Sequence, residues 1–523
     1  MRNDQKSMDR IFHFFDYCSN LINGMDGKII FFILLIVNAT TFNTSGNEEQ
    51  YLAISKQYIN PTWILNSFHL TEWPGARIFN QSVTGFFLQF ISIPLFAFLA
   101  KWINFILFSI PIGRIFKTLK ITNIEILFLF QLFYLNQTHG DQAFFADEWI
   151  FGEFQGKTLA YIFVFFSLSA LLEGKDKKSV LFSIFASYLH ILVGGWFLIT
   201  SVLYFLFSKK QLKETIKLSG LYLIAMSPLI IFLGRKILVD TEKVIDGVSL
   251  NWIYVYFRHS HHVGLFHDIS FFRASVFGGL RTVVISFIIL ALTKKLLERN
   301  ELKVLSNLIF GTFGILFTFL FVAFLDRFAF DRAGSFFLQL YPFRVAAISK
   351  FMLLLFIGAA VKEYFLNNDI SKKYLNIILF VIVVPYLGSR FTRNVAAIYR
   401  SPGLGYIEKP IQELSNFISK KTAREDSFFL NVQGDDQLET SFYRAIERDR
   451  YADYKLVPAG TNKLYLWYHR ILASRKIKKD INHLFQMPVK PTFKYLISDK
   501  EIYHAKLVVL YKNQKYSLYQ VNY

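Results

Sequence analysis

Cysteine is almost missing from this 523-residue chain: Cys18 stands alone, which excludes an intramolecular disulfide and requires any exported part to hold together without covalent cross-links. Acidic residues are also scarce, 38 Asp and Glu against 58 Lys and Arg, leaving a formal charge of +20. The excess is spread through short connectors instead of gathered in one patch, which argues against nucleic acid as a partner and for contact with anionic lipid headgroups. No fixed-period repeat or low-complexity tract occurs, so a solenoid and a disordered tail are both excluded.

What the chain has in abundance is apolar: 53% of it is hydrophobic and 60 residues are Phe. Apolar runs alternate with Lys-rich connectors down to about Arg390, the texture of a polytopic α-helical membrane protein. Runs at 28–42, 84–108, 122–136, 158–173, 179–190, 192–208, 216–234, 274–293, 308–325, 342–361 and 375–389 predict about eleven crossings. Arg2, Lys6 and Arg10, then Arg114, Lys117 and Lys120, then Lys175, Lys177 and Lys178, Lys209 and Lys210, Lys294 and Lys295, and Lys372 and Lys373 fall in alternate connectors. Those connectors are expected in the cytoplasm with the N-terminus, and the odd count places the C-terminus outside. The runs on either side of His190 also allow one long buried helix, although lysines at both ends favour two crossings. The first run lacks a small-x-small cleavage site and reads as a retained helix, its aromatic approach Ile11–Tyr17 lying along the inner surface.

Beyond Arg390 the pattern is that of a small soluble α+β domain, helical over 407–421, strand-like at Ser427–Val432 and Lys506–Tyr511, with turns at Gly434 and Gly460. The expected division is a membrane domain over 1–390 and an extracytoplasmic domain over 391–523. Extracytoplasmic loops are expected at 43–82, 137–157, 235–273 and 326–341.

The candidate chemistry lies in those loops. Glu48 and Glu49 follow the first apolar run, where a carboxylate can take a proton from an acceptor hydroxyl or cap a helix N-terminus. Trp63 and Trp73 in the same loop suit an interfacial segment. Asp147 and Glu148 lie just before another apolar run, in a loop with His139, Asp141 and Glu153, and read either as catalytic carboxylates or as solvated loop charge. Arg258-His259-Ser260-His261-His262, followed by His267 and Asp268, concentrates imidazole and guanidinium suited to phosphate or metal. Adjacent histidines on a helix or strand point apart, so a complete zinc site from this run is not expected. Arg344 and Arg77 sit where an arginine either grips a lipid phosphate or anchors a helix end. In the terminal domain Tyr443, Tyr454, Trp467 and Tyr468 offer faces for stacking on a sugar or, alternatively, make the core.

With these residues in view, the chain resembles the GT-C superfamily of polyprenyl-phosphate-sugar-dependent glycosyltransferases, through Asn47-Glu48-Glu49-Gln50-Tyr51 in the first outward loop. It is more closely similar to an uncharacterised bacterial group of GT-C-like membrane proteins. That likeness rests on Gly156-Lys157-Thr158-Leu159-Ala160, Leu189-His190, the Arg258–His262 run, Phe442-Tyr443-Arg444, Arg448, Tyr454-Lys455 and Trp467-Tyr468-His469-Arg470. It covers most of the chain, but a Glu pair stands where an aspartate is typical.

The resemblance implies a bacterial inner-membrane glycosyltransferase moving a sugar from a polyprenyl-phosphate-linked donor to an outer-face glycan, lipid or protein, with inversion. Glu48, Glu49, Asp147 and Glu148 are then the catalytic candidates. Arg258, His261, His262, Arg344 and Arg77 are candidates for the donor phosphate, and Trp467 and Tyr468 for the acceptor. A divalent cation, Mg or Mn, shared by Glu49 and Asp147 is an alternative to part of the arginine role. A transporter or flippase of a lipid-linked saccharide, and a non-catalytic scaffold of the same fold, also fit the pattern.

The single thiol tests the orientation. A membrane-impermeant maleimide is expected to label Cys18 in inverted vesicles and not in intact spheroplasts; labelling from the outside alone would reverse the topology.

Overall fold

A computed structural model gives the fold and describes residues 2–39, 44–71, 73–131, 142–209, 212–239, 244–293, 298–365, 369–400, 403–434, 436–458 and 460–523. The side chains of 2–12, 208–209, 235–239, 292–293, 361–365, 369–380 and 382–383 are not among those described. His139, Asp141, Lys210, Lys294 and Lys295 therefore lie outside the described residues, as do the side chains of Arg2, Lys6, Arg10, Lys209, Lys372 and Lys373.

Among the described residues, five helices are long and apolar enough to cross a membrane: Ile93–Leu119, Leu212–Gly234, Ile269–Ala291, Asn300–Phe328 and Pro342–Ala360. A sixth is made if His13–Gly24 and Gly27–Ala39, bent by 99° at their break, count together. These helices suit a membrane-embedded protein. Ile224 (75% exposed), Ile231, Ile288 and Phe321 leave their apolar side chains uncovered by protein, as lipid-facing residues do.

The eleven expected crossings are not all reproduced as membrane-length helices. Runs 158–173, 179–190 and 192–208 become Gly156–Leu172, Asp176–Leu189 and Ile191–Tyr204, of 17, 14 and 14 residues. Asp176–Leu189 reaches only about 21 Å against a hydrocarbon slab of about 30 Å, whereas Ile191–Tyr204 runs on directly into the π-helical stretch Phe205–Lys209. Hydropathy reports composition, whereas length is set by breaks such as His190, whose extended backbone (φ −156°, ψ 97°) separates the last two helices.

The chain divides into two compact units. Unit 1 comprises Met1–Thr41, Lys101–Ile231 and Tyr254–Arg400. Its core is aromatic. Phe151 is fully buried and takes ring contacts from Phe31 (5.5 Å), Phe108 (4.9 Å), Phe165 (6.1 Å) and Phe351 (6.0 Å). Edge and stacked ring pairs of this kind add roughly 0.5–1.5 kcal/mol each beyond the area they bury. Gly156–Leu172 and Asp176–Leu189 approach through small residues, Ser167 Oγ lying 2.6 Å from Ser179 Oγ and 3.0 Å from Ser183 Oγ, the close hydroxyl-mediated packing that holds helices together where water is absent.

Unit 2 comprises Phe42–Ala100, Phe232–Ile253 and Ser401–Tyr523. The first loop region thus clusters with the C-terminal region. The expected boundary at 390 falls inside one helix, Asp369–Arg400, because a helix continues past the end of its apolar run when its later turns are basic and amphipathic. After a two-residue hairpin, β1 (Val244–Ile245) and β2 (Val248–Ser249), come β3 (Ser427–Asn431), β4 (Asp449–Arg450), β5 (Tyr495–Ser498), β6 (Leu507–Lys512) and β7 (Ser517–Val521). The last five form a mixed sheet of order β4-β3-β5-β7-β6, with β3 parallel to β4 and β5 and the remaining pairs antiparallel. Successive residues of β3 and β5 are buried, as when both faces of a sheet are covered. The expected helix and strands of this region are present as Lys409–Lys421, β3 and β6.

The helix Phe277–Thr293 meets the 142–155 segment at Gly279, where an added Cβ would lie 1.6 Å from the Phe144 carbonyl oxygen. Gly279→Ala is therefore expected to destabilise unit 1 by roughly 1–3 kcal/mol, the usual range for overpacking. Thermal unfolding in detergent measures it, and an unchanged midpoint would show that this contact is not tight.

Candidate functional site

The segment 142–155 of unit 1 places two neighbouring carboxylates in opposite surroundings. Its far end is pinned by Phe151 in the aromatic core and by the buried Gln142 amide, which accepts from the N–H groups of Ile150 (2.9 Å) and Phe151 (3.0 Å) and donates to the Phe151 carbonyl (2.9 Å). Between these anchors the chain reverses through two left-handed residues, Ala146 (φ 73°) and Asp147 (φ 50°). The reversal leaves Asp147 exposed and turns Glu148 inward to 2% exposure.

Glu148 lies between two cations. Lys157 Nζ is 3.4 Å and Arg344 Nη1 3.5 Å from its Oε2. Burial alone would raise the Glu148 carboxyl, but Arg344 and Lys157 outweigh it and hold the group below its ordinary value, so it is ionised at neutral pH. Lys157 comes from the first turn of Gly156–Leu172 and also lies over the Trp149 ring at 3.9 Å. Arg344 ends the 3-10 turn Pro342–Arg344, entered through left-handed Tyr341 (φ 50°), and its guanidinium stacks 4.9 Å from the Tyr341 ring. Contacts of 3.4–3.5 Å are longer than tight charge-assisted pairs. Glu153 also acts on Lys157, and Asp147 adjoins Glu148 in the chain.

The histidine run closes around the same place. His262 Nδ1 is 2.7 Å from the Ala146 carbonyl, which only accepts, so Nδ1 carries the proton. The His261 and His262 rings are 4.0 Å apart, and His259 lies 5.3 Å from the Tyr341 ring. On a helix or strand, as expected, the run would splay. It folds instead as a tight turn, with the N–H groups of His262 and Val263 both donating to the His259 carbonyl at 2.9 Å, and this brings neighbouring rings together. Burial lowers His262 to about 3 in spite of Glu148, and burial followed by Arg258 lowers His259 and His261. These imidazoles are neutral near pH 7. The positive charge here is that of Arg344, Lys157 and Arg258, with the histidines as neutral hydrogen-bonding groups. Beyond the turn, His267 Nδ1 stays with the Gly264 carbonyl (3.0 Å) and Asp268 caps Ser270 and Phe271.

In unit 2 the other expected pair also divides. Glu48 is fully buried and closes a capping box on the helix Gly46–Ile59: its carboxylate accepts from the Ser45 N–H (2.9 Å), and Ser45 Oγ accepts from the Glu48 N–H (3.1 Å). Glu49, 4% exposed, is held by Arg444, whose Nε donates to both carboxylate oxygens (2.9 and 3.0 Å) and Nη2 to Oε1 (2.7 Å), with Thr44 donating as well. Glu48 is closed off by its cap, whereas Glu49 lines a cavity of unit 2 with its carboxylate taken up by Arg444 and Thr44.

Arg77 is exposed, 5.3 Å from the Tyr51 ring, as an interfacial anchor would be. Trp467 is fully buried and donates to the Asp453 carbonyl (2.8 Å), so it is a core residue and offers no stacking face. Tyr468 is half-buried with its ring 6.2 Å from Trp252. Glu49 and Asp147, expected to share a cation, belong to different units, and among the described residues no three His, Cys, Asp or Glu side chains gather as a metal site.

Two residues that complete these clusters, Lys157 and Arg444, carry only a motif likeness in the sequence. The signal available for Lys157 is a lysine opening an otherwise apolar helix, where a charge needs a partner. Together the fold and the site define a membrane-embedded helical protein with a buried ionic cluster at its helix ends. No protein-family model matches the chain, and no curated protein matches it.

Removing the Glu148 charge takes from two cations the carboxylate nearest to them, so Glu148→Ala is expected to cost about 3–5 kcal/mol. Because the folded carboxyl lies below its unfolded value of about 4.3, its stabilisation is present above that pH and lost as pH falls through the folded value. The acid limb of an unfolding-versus-pH profile is expected to be shallower in Glu148→Gln, and an identical limb would remove this role.

Proposed function

We propose that the protein is a GT-C-type glycosyltransferase, moving a sugar from a polyprenyl-phosphate-linked donor to a hydroxyl acceptor with inversion. The observation that carries the reading is the pair of cations Arg344 and Lys157 held at buried Glu148, immediately beside exposed Asp147. A lipid phosphate is an anion that such cations can grip, and apolar helices supply lateral access for its chain.

In the proposed step, the acceptor oxygen bonds to the anomeric carbon while the bond from that carbon to the phosphate oxygen breaks, its electron pair leaving with the lipid phosphate. Asp147 takes the acceptor proton, because it is the carboxylate of the pair that faces solvent. Arg344, Lys157 and Arg258 stabilise the charge that grows on the leaving phosphate, and Glu148 positions the first two. The role expected of Glu48 and Glu49 thus passes to Asp147.

Asp147→Asn is expected to lower kcat by roughly 10²–10⁴-fold with little change in stability, the usual size for loss of a general base. Arg258→Ala is expected to raise the KM for donor. Cells lacking the protein should lose one sugar from an outer-surface glycan and accumulate its lipid-linked donor, with rescue by wild type only. Rescue by Asp147→Asn at equal level would instead support transport or scaffolding.

A further inference from the structure

Unit 2 contains a cavity of about 620 Å³ that the proposed chemistry does not use. Its size is within the range of roughly 300–1,000 Å³ typical of small-molecule sites. The wall carries four carboxylates, Glu49, Glu408, Asp436 and Asp499, against two cations, Arg444 and Lys515. Both cations are engaged by those carboxylates: Arg444 grips Glu49, and Lys515 Nζ lies 2.9 Å from Glu408 and 3.1 Å from Asp436. The wall is therefore net negative, and a phosphate would meet repulsion there.

The rest of the lining is made for hydroxyls. Gln433 and Tyr406, the latter 41% exposed, line the cavity, and the Thr440 and Ser441 hydroxyls, which donate to the Gln437 carbonyl (3.0 and 2.8 Å), keep lone pairs able to accept. Polar side chains with one aromatic face are the means by which a protein holds an uncharged sugar, hydrogen-bonding its rim and covering its C–H face. The site is structurally maintained. Arg444 Nη1 donates to the Gly405 carbonyl (2.9 Å), and Gly405 is left-handed (φ 65°) where an added Cβ would fall 2.3 Å from the Pro94 side chain. Asp499 accepts from the Gln433 N–H at 3.1 Å, fixing the opposite wall.

The geometry points to this cavity as a binding site for an uncharged saccharide of one or two units. That binding does not rest on the transferase reading. The site replaces the buried Trp467 as the sugar-contacting part of unit 2.

The test is isothermal titration of the full-length protein in nanodiscs with maltose and N,N′-diacetylchitobiose, and with glucose 1-phosphate as the anionic probe. At least one neutral disaccharide is expected to bind, at least tenfold more tightly than glucose 1-phosphate. Its affinity should fall at least tenfold in Tyr406→Ala/Asp499→Ala and be unchanged in Asp147→Asn. Tyr406→Ala alone serves if the double variant does not fold. Failure of both disaccharides to bind, preference for the phosphate, or unaltered affinity in the cavity variants overturns the inference. If binding behaves as expected while the wild-type protein transfers no sugar from a lipid-linked donor, the cavity stands and the transferase reading falls.

Discussion

Unit 1 is organised around the need to keep one buried carboxylate charged. Glu148 is tolerable inside the protein because Arg344 and Lys157 reach it from two different helical segments, and it in turn helps to offset their charge. Lys157 comes from the start of Gly156–Leu172, which a capping box of Gln155 and Thr158 closes, and Arg344 from the turn entered through left-handed Tyr341. Phe151 and Gln142 hold that segment from the other side by packing and hydrogen bonding that carry no charge. A charged site anchored on an aromatic core couples the abundance of Phe to the placement of a few ionic groups.

Both acidic pairs obey one rule. Neighbours on a chain face different directions, so Glu48 takes the helix cap while Glu49 takes Arg444, and Glu148 turns inward while Asp147 remains in solvent. In the proposed chemistry only the solvent-facing member of the second pair is placed to receive a proton. The buried members define positions. The neutral histidines follow from the same electrostatics: burial, joined at His261 by Arg258, disfavours a further positive charge more than the nearby carboxylates favour it.

Much of this is legible in the chain itself, for identifiable reasons. Long apolar runs foretell the helices at Leu212–Gly234, Asn300–Phe328 and Pro342–Ala360, because an apolar stretch of that length has to satisfy its own backbone hydrogen bonds once it leaves water. Short runs of β-branched and aromatic residues bounded by polar turns foretell the strands Ser427–Asn431 and Leu507–Lys512. Asp147, Glu148, Arg258, His262 and Arg344 stand out as polar residues beside apolar runs. The short helices on either side of His190 are not legible as such, since a break depends on local backbone and packing. The pairing of Glu49 with Arg444, separated by 395 positions, leaves no local trace.

The sequence by itself determined composition-level facts: a helical chain suited to a membrane, an α+β segment after it, no disulfide, and a short roster of polar residues able to do chemistry. Each follows from nearest-neighbour patterns of hydrophobicity and charge. Tertiary structure alone decided which of those residues are buried, which cations they meet and which remain open to solvent. Those outcomes depend on contacts between distant segments, where desolvation and Coulomb attraction are settled by a few ångströms that spacing along the chain does not encode.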